Sequence, residues 1–244
     1  MTERTVGLIF NGVWSHYVFA TAPKYRDLVE LIYVHDLPHT DISRFGGLIV
    51  PFQSDHAALA HCRTQLYGFL ASGARLAVFG DSGHWLDATW VDRPLDNHWW
   101  KTHPSTPPVA HTRFDHPLFA GLTPRQAGFH HHGVYLRVPP QAQVLQRSAQ
   151  GEVITWQSQA YGGLLLASTM DPIVEHAVQQ VGHLDHLVDQ LLWWLGGVRP
   201  VATPLTLDPQ VFGQVYRRTT SSPHPRLDTN REKFRPASAT ISPQ

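Results

Sequence analysis

Short apolar runs alternate with amphipathic segments along the first part of the chain. Three of these runs predict buried strands, at Val6–Phe10, residues 47–52 and Arg75–Phe79. A helix with one core-facing side is predicted between the second and third runs, where apolar residues recur at three- and four-residue spacing: Leu59, Cys62, Leu66, Phe69 and Leu70. A further helix is predicted over residues 22–31, followed by a strand over residues 31–34.

The second half of the chain is richer in strands. Short apolar segments separated by Pro, Gly and polar turns predict strands over residues 134–138, 142–145, 153–156 and 163–167. A broad stripe of leucine and valine then predicts one closing helix over residues 176–196. Strands and helices that alternate with short links predict an α/β domain over residues 1–199, with a flavodoxin-like, doubly wound, mainly parallel sheet.

The composition changes after Pro200. Seven prolines fall between Pro200 and Pro243, together with many Ser and Thr residues and few large aliphatic ones. From Arg217 onward, six basic residues face two acidic ones. Such a segment lacks the apolar residues for a core of its own. The sequence therefore predicts a flexible or extended basic tail over residues 200–244.

Charge and cysteine content narrow the class of protein. The chain of 244 residues has 19 basic and 19 acidic side chains, which argues against a general nucleic-acid or anionic-membrane binder. Its single cysteine, Cys62, excludes an internal disulfide and favours a reducing cytosol. The N-terminus lacks the features of a signal peptide, and no apolar run approaches the roughly 20 residues that span a bilayer. We therefore expect a soluble cytoplasmic protein.

Polar residues follow the predicted strands where a ligand site is expected. Open α/β sheets bind ligands at the carboxyl ends of their strands, so Gly12 and Trp14, after the first strand, are predicted to lie near a site. Gln53 follows the third strand, and a backbone N–H near it is a candidate oxyanion donor. Asp55 is a candidate N-cap for the next helix and a candidate ligand-binding residue.

The fourth strand stops abruptly at residues 80–84, Gly-Asp-Ser-Gly-His. In one hypothesis Ser82 is a nucleophile at the start of a following helix, with a base drawn from His84, from the histidines at 130–132 or from His176. In the alternative, Asp81 and Ser82 only cap that helix. Spacing alone does not assign a triad.

Three consecutive histidines at residues 130–132 form the densest cluster among the 17 in the chain. Side chains alternate along a strand, so His130 and His132 would share a face. With Asp171 or His84, this pair could complete a zinc-like site with three protein ligands. A divalent metal is therefore one candidate cofactor, and the alternative is a polar surface or pocket lining without any cofactor.

Asp171 follows the predicted strand at residues 163–167 and is expected at the same sheet edge. It could orient a pocket histidine or cap a turn. No G-x-x-x-x-G-K loop and no G-x-G-x-x-G are present, so the sequence offers no support for nucleotide binding.

The order of motifs over residues 6–197 resembles the class I glutamine amidotransferase-like superfamily, and within it the ThuA-like proteins. The resemblance is carried by GGLIVP at 46–51, the turn at Gly80, HPLFAGL at 116–122, YGGLL at 161–165 and STMDP at 168–172. In active members of the superfamily, a G-x-C-x-G elbow supplies a cysteine nucleophile and a late H-x-E supplies the base. Here Ser82 stands in the place of that cysteine, so glutamine hydrolysis is not expected.

Three hypotheses for the function remain. The resemblance favours an amidotransferase-like domain without glutaminase activity, which binds a small polar, sugar-derived ligand or a protein partner. The first alternative is a hydrolase or isomerase that uses Ser82 or a metal held by His130 and His132. The second is a structural component of a larger complex, and a homo-oligomer is also compatible with the sequence. The pocket is predicted from these residues: Gly12, Trp14, Gln53, Asp55, Asp81, Ser82, His84, His130, His132 and Asp171.

Overall fold

The computed structural model describes residues 4–81, 83–93, 108–128, 131–179 and 181–206. In this part of the chain the strands are β1 (Val6–Phe10), β2 (Val29–Tyr33), β3 (Gly47–Val50), β4 (Arg75–Phe79), β5 (Thr89–Asp92), β6 (Val109–Thr112), β7 (Gly133–Arg137), β8 (Gln143–Ser148), β9 (Val153–Ser158) and β10 (Leu164–Ser168). The α-helices are α1 (Trp14–Thr21), α2 (His56–His61), α3 (Arg63–Ala71), α4 (Pro124–Ala127), α5 (Pro172–Gln179) and α6 (Leu184–Gly196).

The described strands form one mixed sheet in the order β2-β1-β3-β4-β10-β9-β7-β5, and β8 joins β6 to β9. Five neighbouring strands are parallel, namely β2, β1, β3, β4 and β10. The remaining pairs of strands are antiparallel. The order β2-β1-β3-β4 is that of flavodoxin-like sheets. In such sheets the strand order reverses between β1 and β3, and a crevice opens at that point. The predicted fold class is thus confirmed.

Helices cover both faces of the parallel strands. Leu8 of β1 and Ile49 of β3 belong to the core under α1, α5 and α6, whereas their neighbours Ile9 and Leu48 belong to the core under α2 and α3. Successive side chains of a strand point to opposite faces, so a strand covered on both sides is apolar throughout. This explains why the strand segments are continuous apolar runs in the sequence.

The prediction of a helix over residues 22–31 is wrong, because the helix lies earlier, at Trp14–Thr21. The usual start signal is missing, since Val13 at the N-cap makes no side-chain hydrogen bond. Burial of Val18 and Phe19 against the sheet fixes the helix instead. The predicted single closing helix is also wrong, since α5 and α6 are separate helices.

The helix expected directly after the Gly80 turn is absent as well. Residues 83–88 form turns and bends and lead into the short strand β5. Trp85 and Leu86 are buried in the core beside α2 and α3, and Arg63 of α3 donates a hydrogen bond of 2.8 Å to the Trp85 carbonyl. This packing holds the segment in a non-helical conformation.

The division into a domain over residues 1–199 and a tail over residues 200–244 stays a prediction. Residues 200–206 are described, and Leu205 is buried in the main core. The rest of the predicted tail, residues 207–244, lies outside the described residues. In the part of the chain that the structure describes, no helix has the length and apolarity to cross a membrane.

A partly buried ionic cluster holds the helices of one layer together. The Lys24 ammonium, which follows α1, lies 3.1 Å from Asp185 and 2.8 Å from Asp189, both in α6. Asp185 also lies 3.2 Å from the His176 ring of α5 and accepts a hydrogen bond from the backbone N–H of Leu205. The cluster therefore connects α1, α5, α6 and the start of the C-terminal segment.

We expect Lys24→Met to reduce the free energy of unfolding by roughly 1–3 kcal/mol, because it leaves two partly buried carboxylates without their cation. The methionine keeps the apolar stem of the lysine, so the change isolates the charge. Arg26→Met is the control, since the Arg26 side chain is 62% exposed and lies 4.0 Å from Asp27. Urea denaturation of both variants measures the difference, and equal losses would contradict the role of the cluster.

Candidate functional site

Phe52 lies at the centre of the carboxyl edge of the parallel strands. It follows β3, and its ring packs against the backbone of Gly80 at the end of β4. A Cβ on Gly80 would come within 2.1 Å of the Phe52 ring, and the φ of Gly80 is +75°. Only glycine satisfies both conditions. The abrupt end of the fourth strand is thus a consequence of the position of Phe52.

His132 and Asp171 form a polar pair beside Phe52. The His132 ring stacks on the Phe52 ring, with the centroids 4.0 Å apart and the planes inclined by 17°. Its Nε2 lies 2.9 Å from Oδ2 of Asp171. A backbone hydrogen bond from His132 to the Thr169 carbonyl fixes the segment that carries the imidazole. Asp171 is buried, whereas the His132 side chain is 22% exposed.

The loop after β3 contains a strained residue, Gln53, whose φ is +67°. Such a conformation costs a non-glycine residue about 1–3 kcal/mol and occurs preferentially at functional sites. Two hydrogen bonds hold the loop: the His16 ring N–H donates to the Phe52 carbonyl at 2.9 Å, and the Asn11 amide donates to the Gln53 carbonyl at 3.0 Å. In trans peptides N–H and C=O point in opposite directions. The N–H groups of Gln53 and Ser54 therefore point away from these two partners.

His16 is fully buried in α1. Burial lowers the pKa of His16 to about 4, and the hydrogen bond to the Phe52 carbonyl opposes this shift only in part. The ring is therefore neutral at pH 7. Since Nε2 carries the proton, Nδ1 is an acceptor, and it has no hydrogen-bond partner among the described residues. The sequence assigned His16 no role.

Asp81 closes the turn after β4. Its Oδ1 accepts a hydrogen bond of 2.8 Å from the Gly83 backbone, as the capping alternative requires, although no helix follows in residues 83–93. Gly83 lies against His56, at the start of α2, and a Cβ on it would come within 2.7 Å of that side chain. Burial lowers the pKa of His56, against the charges of Asp81 and Asp55. His84 is exposed. His56 is a site residue that the sequence did not single out.

The remaining predicted residues lie around this centre. Asp55 caps α2, since its Oδ1 accepts hydrogen bonds of 3.0 Å from the backbones of Ala57 and Ala58. Gly12 is exposed with a φ of +91°, and Trp14 begins α1 half-buried. The structure thus places these residues at the same sheet edge as Gln53, where the loops after β1 and β3 meet.

Ser82 and His130 lie outside the described residues. The nucleophile hypothesis for Ser82 and the metal hypothesis for His130 with His132 therefore stay predictions. Within the described ranges, no group of three His, Cys, Asp or Glu side chains could hold a metal ion. The only cysteine of the sequence, Cys62, is buried between α2 and α3, and burial raises its thiol pKa.

The strand order and the crevice at the edge define a flavodoxin-like α/β domain. No family model and no curated protein matches the sequence. Among solved structures, cytoplasmic protein STM3548 of Salmonella typhimurium is similar with a TM-score of 0.52 and 10% identity, over 78% of this chain and 98% of that one. At this identity the likeness shows a shared fold.

Two other solved structures are similar to the chain at lower TM-scores. A protein of Bacteroides uniformis described as ThuA-like matches with a TM-score of 0.45 and 14% identity, over 79% of this chain and 91% of its own. A protein of Thermoplasma acidophilum described as a component of GMP synthase matches with a TM-score of 0.46 and 13% identity, over 79% of this chain and 94% of its own. These similarities are too distant to transfer an activity.

The buried neutral state of His16 makes stability depend on pH. The pKa of His16, about 4 in the folded state, lies below its ordinary value of 6.5, so the unfolded chain binds the proton first as the pH falls. The stabilisation is complete above pH 6.5 and is lost toward pH 4. We expect the wild type to lose about 2 kcal/mol more than His16→Gln between about pH 6.5 and 4.5. Urea denaturation across this interval measures it, and parallel curves would contradict a buried neutral His16.

Proposed function

We propose that this protein is an amidotransferase-like domain without glutaminase activity, which binds a small polar ligand at the carboxyl edge of its sheet. The His132–Asp171 pair is the polar anchor of the site. The observation that supports the proposal most is this pair itself, with Nε2 and Oδ2 2.9 Å apart at the carboxyl edge of the sheet.

The exposure of the pair distinguishes it from ordinary core polarity. Burying a carboxylate is costly unless it is paired, and His132 provides a partner for Asp171. The imidazole of this pair stays accessible to a ligand, since 22% of the His132 side chain is exposed. Ligand sites in open α/β sheets lie at this edge, and a partly exposed, oriented imidazole can bind hydroxyl or carboxylate groups.

The location of the only cysteine in the sequence supports the absence of glutaminase activity. The thioester route of the resembled superfamily needs a cysteine at the turn after β4. The sequence has Ser82 there, and its single thiol, Cys62, is buried between α2 and α3. A serine hydroxyl is a weak nucleophile at neutral pH without a base in contact. A sugar-derived ligand rests on the ThuA-like resemblance and on the polar character of the pair.

The ligand proposal is tested by thermal unfolding with a panel of monosaccharides, aldonates and uronates, each added at increasing concentration. A compound that reaches about ten times its Kd stabilises the folded state by about 1.4 kcal/mol and raises the Tm by roughly 3–6 °C. We expect such a shift in the wild type, its loss in Asp171→Asn, and its retention in His111→Ala, an exposed histidine of β6. No shift with any compound, or an equal shift in Asp171→Asn, would sink the proposal.

A hydrolase that uses Ser82 is the second candidate. The specific observation in its favour is the Asp171–His132 contact, which orients an imidazole as a general base requires. Against it, no helix follows the turn in residues 83–93, so a helix N-terminus is not available there to stabilise an oxyanion.

Hydrolysis of p-nitrophenyl acetate separates the two candidates. If Ser82 is a nucleophile activated by His132, Ser82→Ala and His132→Ala should each lower kcat/KM by about 100-fold or more. We expect instead that the kcat/KM of each variant stays within about twofold of the wild-type value. In a ligand-binding domain that is not a hydrolase, any hydrolysis of this ester comes from surface side chains and does not depend on Ser82 or His132. A loss of about 100-fold in both variants would establish the hydrolase and overturn our preference.

A further inference from the structure

A second cleft lies at the opposite edge of the sheet from His132. It encloses about 330 Å³ where the starts of β3 and β4 meet the C-terminal end of α6. Its floor is made where Gly46 and Gly196 pack backbone to backbone, since a Cβ on Gly46 would lie 2.9 Å from the Cα of Gly196. The volume is within the range of small-molecule sites.

Two arginines, Arg4 and Arg75, line this cleft. One N–H of Arg75 donates to the Trp194 carbonyl, and its guanidinium lies 5.2 Å from the centroid of the Trp194 ring. One N–H of Arg4 donates to the Ser43 carbonyl at 3.2 Å. A guanidinium has five N–H donors. Among the described residues, neither side chain contacts Asp or Glu, so most of their donors remain available to a ligand.

Four other arginines of the domain are neutralised by carboxylates. Arg44 pairs with Glu30, Arg93 with Glu152, Arg113 with Asp115 and Arg137 with Asp87. The residues that line the cleft include no carboxylate, and their polar members besides the arginines are Ser43 and Ser72. Arg4 and Arg75 thus line one cavity whose described lining holds no negative side chain.

A role in capping accounts for only part of this charge. The C-terminal ends of α6 and α3 border the cleft, and each carries a partial negative charge of about half an elementary charge. Two guanidinium groups carry about twice the charge that would balance these two ends. The cleft therefore keeps a net positive potential, and Arg75 is half-buried beside the Trp194 ring. This arrangement suits a dianion.

We infer that this cleft binds the phosphate group of a small phosphorylated compound, held by Arg4 and Arg75. The planar forks of two guanidinium groups match the tetrahedral oxygens of a phosphate, and their two positive charges match its dianion. The cavity of 330 Å³ is larger than phosphate alone, so the rest of the compound occupies the remaining volume. The site is separate from the His132–Asp171 pair, and the inference does not depend on the function proposed above.

The test is a ¹H–¹⁵N NMR titration of the full chain with inorganic phosphate and pyrophosphate at about pH 7.5, where phosphate is largely dianionic. We expect saturable shifts at the amides of Gly46, Ser72 and Gly73, and at least about tenfold weaker binding of acetate, which has one charge. Arg4→Gln should weaken phosphate binding about tenfold, through loss of one charge-assisted contact. Arg26→Gln, an exposed arginine outside the cleft, should leave binding unchanged.

Several results would overturn the inference. These are no saturable response to phosphate or pyrophosphate, shifts confined to the Gln53 and Gly83 edge, or equal weakening by Arg4→Gln and Arg26→Gln. Binding to vesicles of phosphatidic acid, without a response to free phosphate, would assign the cleft to a lipid headgroup instead. Arg75→Gln provides a further check if its circular dichroism matches the wild type, and undiminished phosphate binding by that folded variant would also contradict the site.

Discussion

The Phe52 ring fills the space in which a side chain at position 80 would lie, and His132 stacks on the same ring at a centroid distance of 4.0 Å. This one aromatic side chain therefore relates three strand ends: its own after β3, the glycine turn after β4, and the Asp171 segment after β10 through His132. A smaller residue at position 52 would leave the imidazole without its platform and the turn without its packing partner. The distances within the site depend on this contact.

The backbone that carries the Phe52 ring is itself held by two side chains. The buried His16 ring binds the Phe52 carbonyl, and Asn11 binds the carbonyl of Gln53, so the loop keeps an unfavourable φ of +67° at Gln53. Asn11 directly follows β1 and His16 lies in α1, so both partners come from the part of the chain next to β3 in the sheet. Strain of this kind persists only when the surroundings impose it. The loop after β3 is thus held in one defined conformation.

Local pattern was sufficient to predict most of the strands and the sheet edge, but not the short strands β5 and β6 or the contacts across the edge. The runs at Val6–Phe10 and Arg75–Phe79 are continuous because both faces of those strands are covered. Asp171 could be placed at the edge as a candidate partner of a pocket histidine. Its contact with His132 could not be assigned, because residues distant in sequence meet through β10 and the segment before β7. The helix expected after Gly80 fails for a related reason, since burial of Trp85 against α2 and α3 overrides local preference.

Helix α1 connects the loop that carries Phe52 with helix α6. Its first turns carry His16, which fixes the loop of Phe52, and the chain just beyond its end carries Lys24, which binds Asp185 and Asp189 of α6. Apart from these Lys24 contacts, α1 packs mainly against α5, and α5 in turn packs against α6. Since α6 also forms a wall of the arginine-lined cleft at the other edge, α6, α5 and α1 provide a continuous packed path from that cleft to the Gln53 loop.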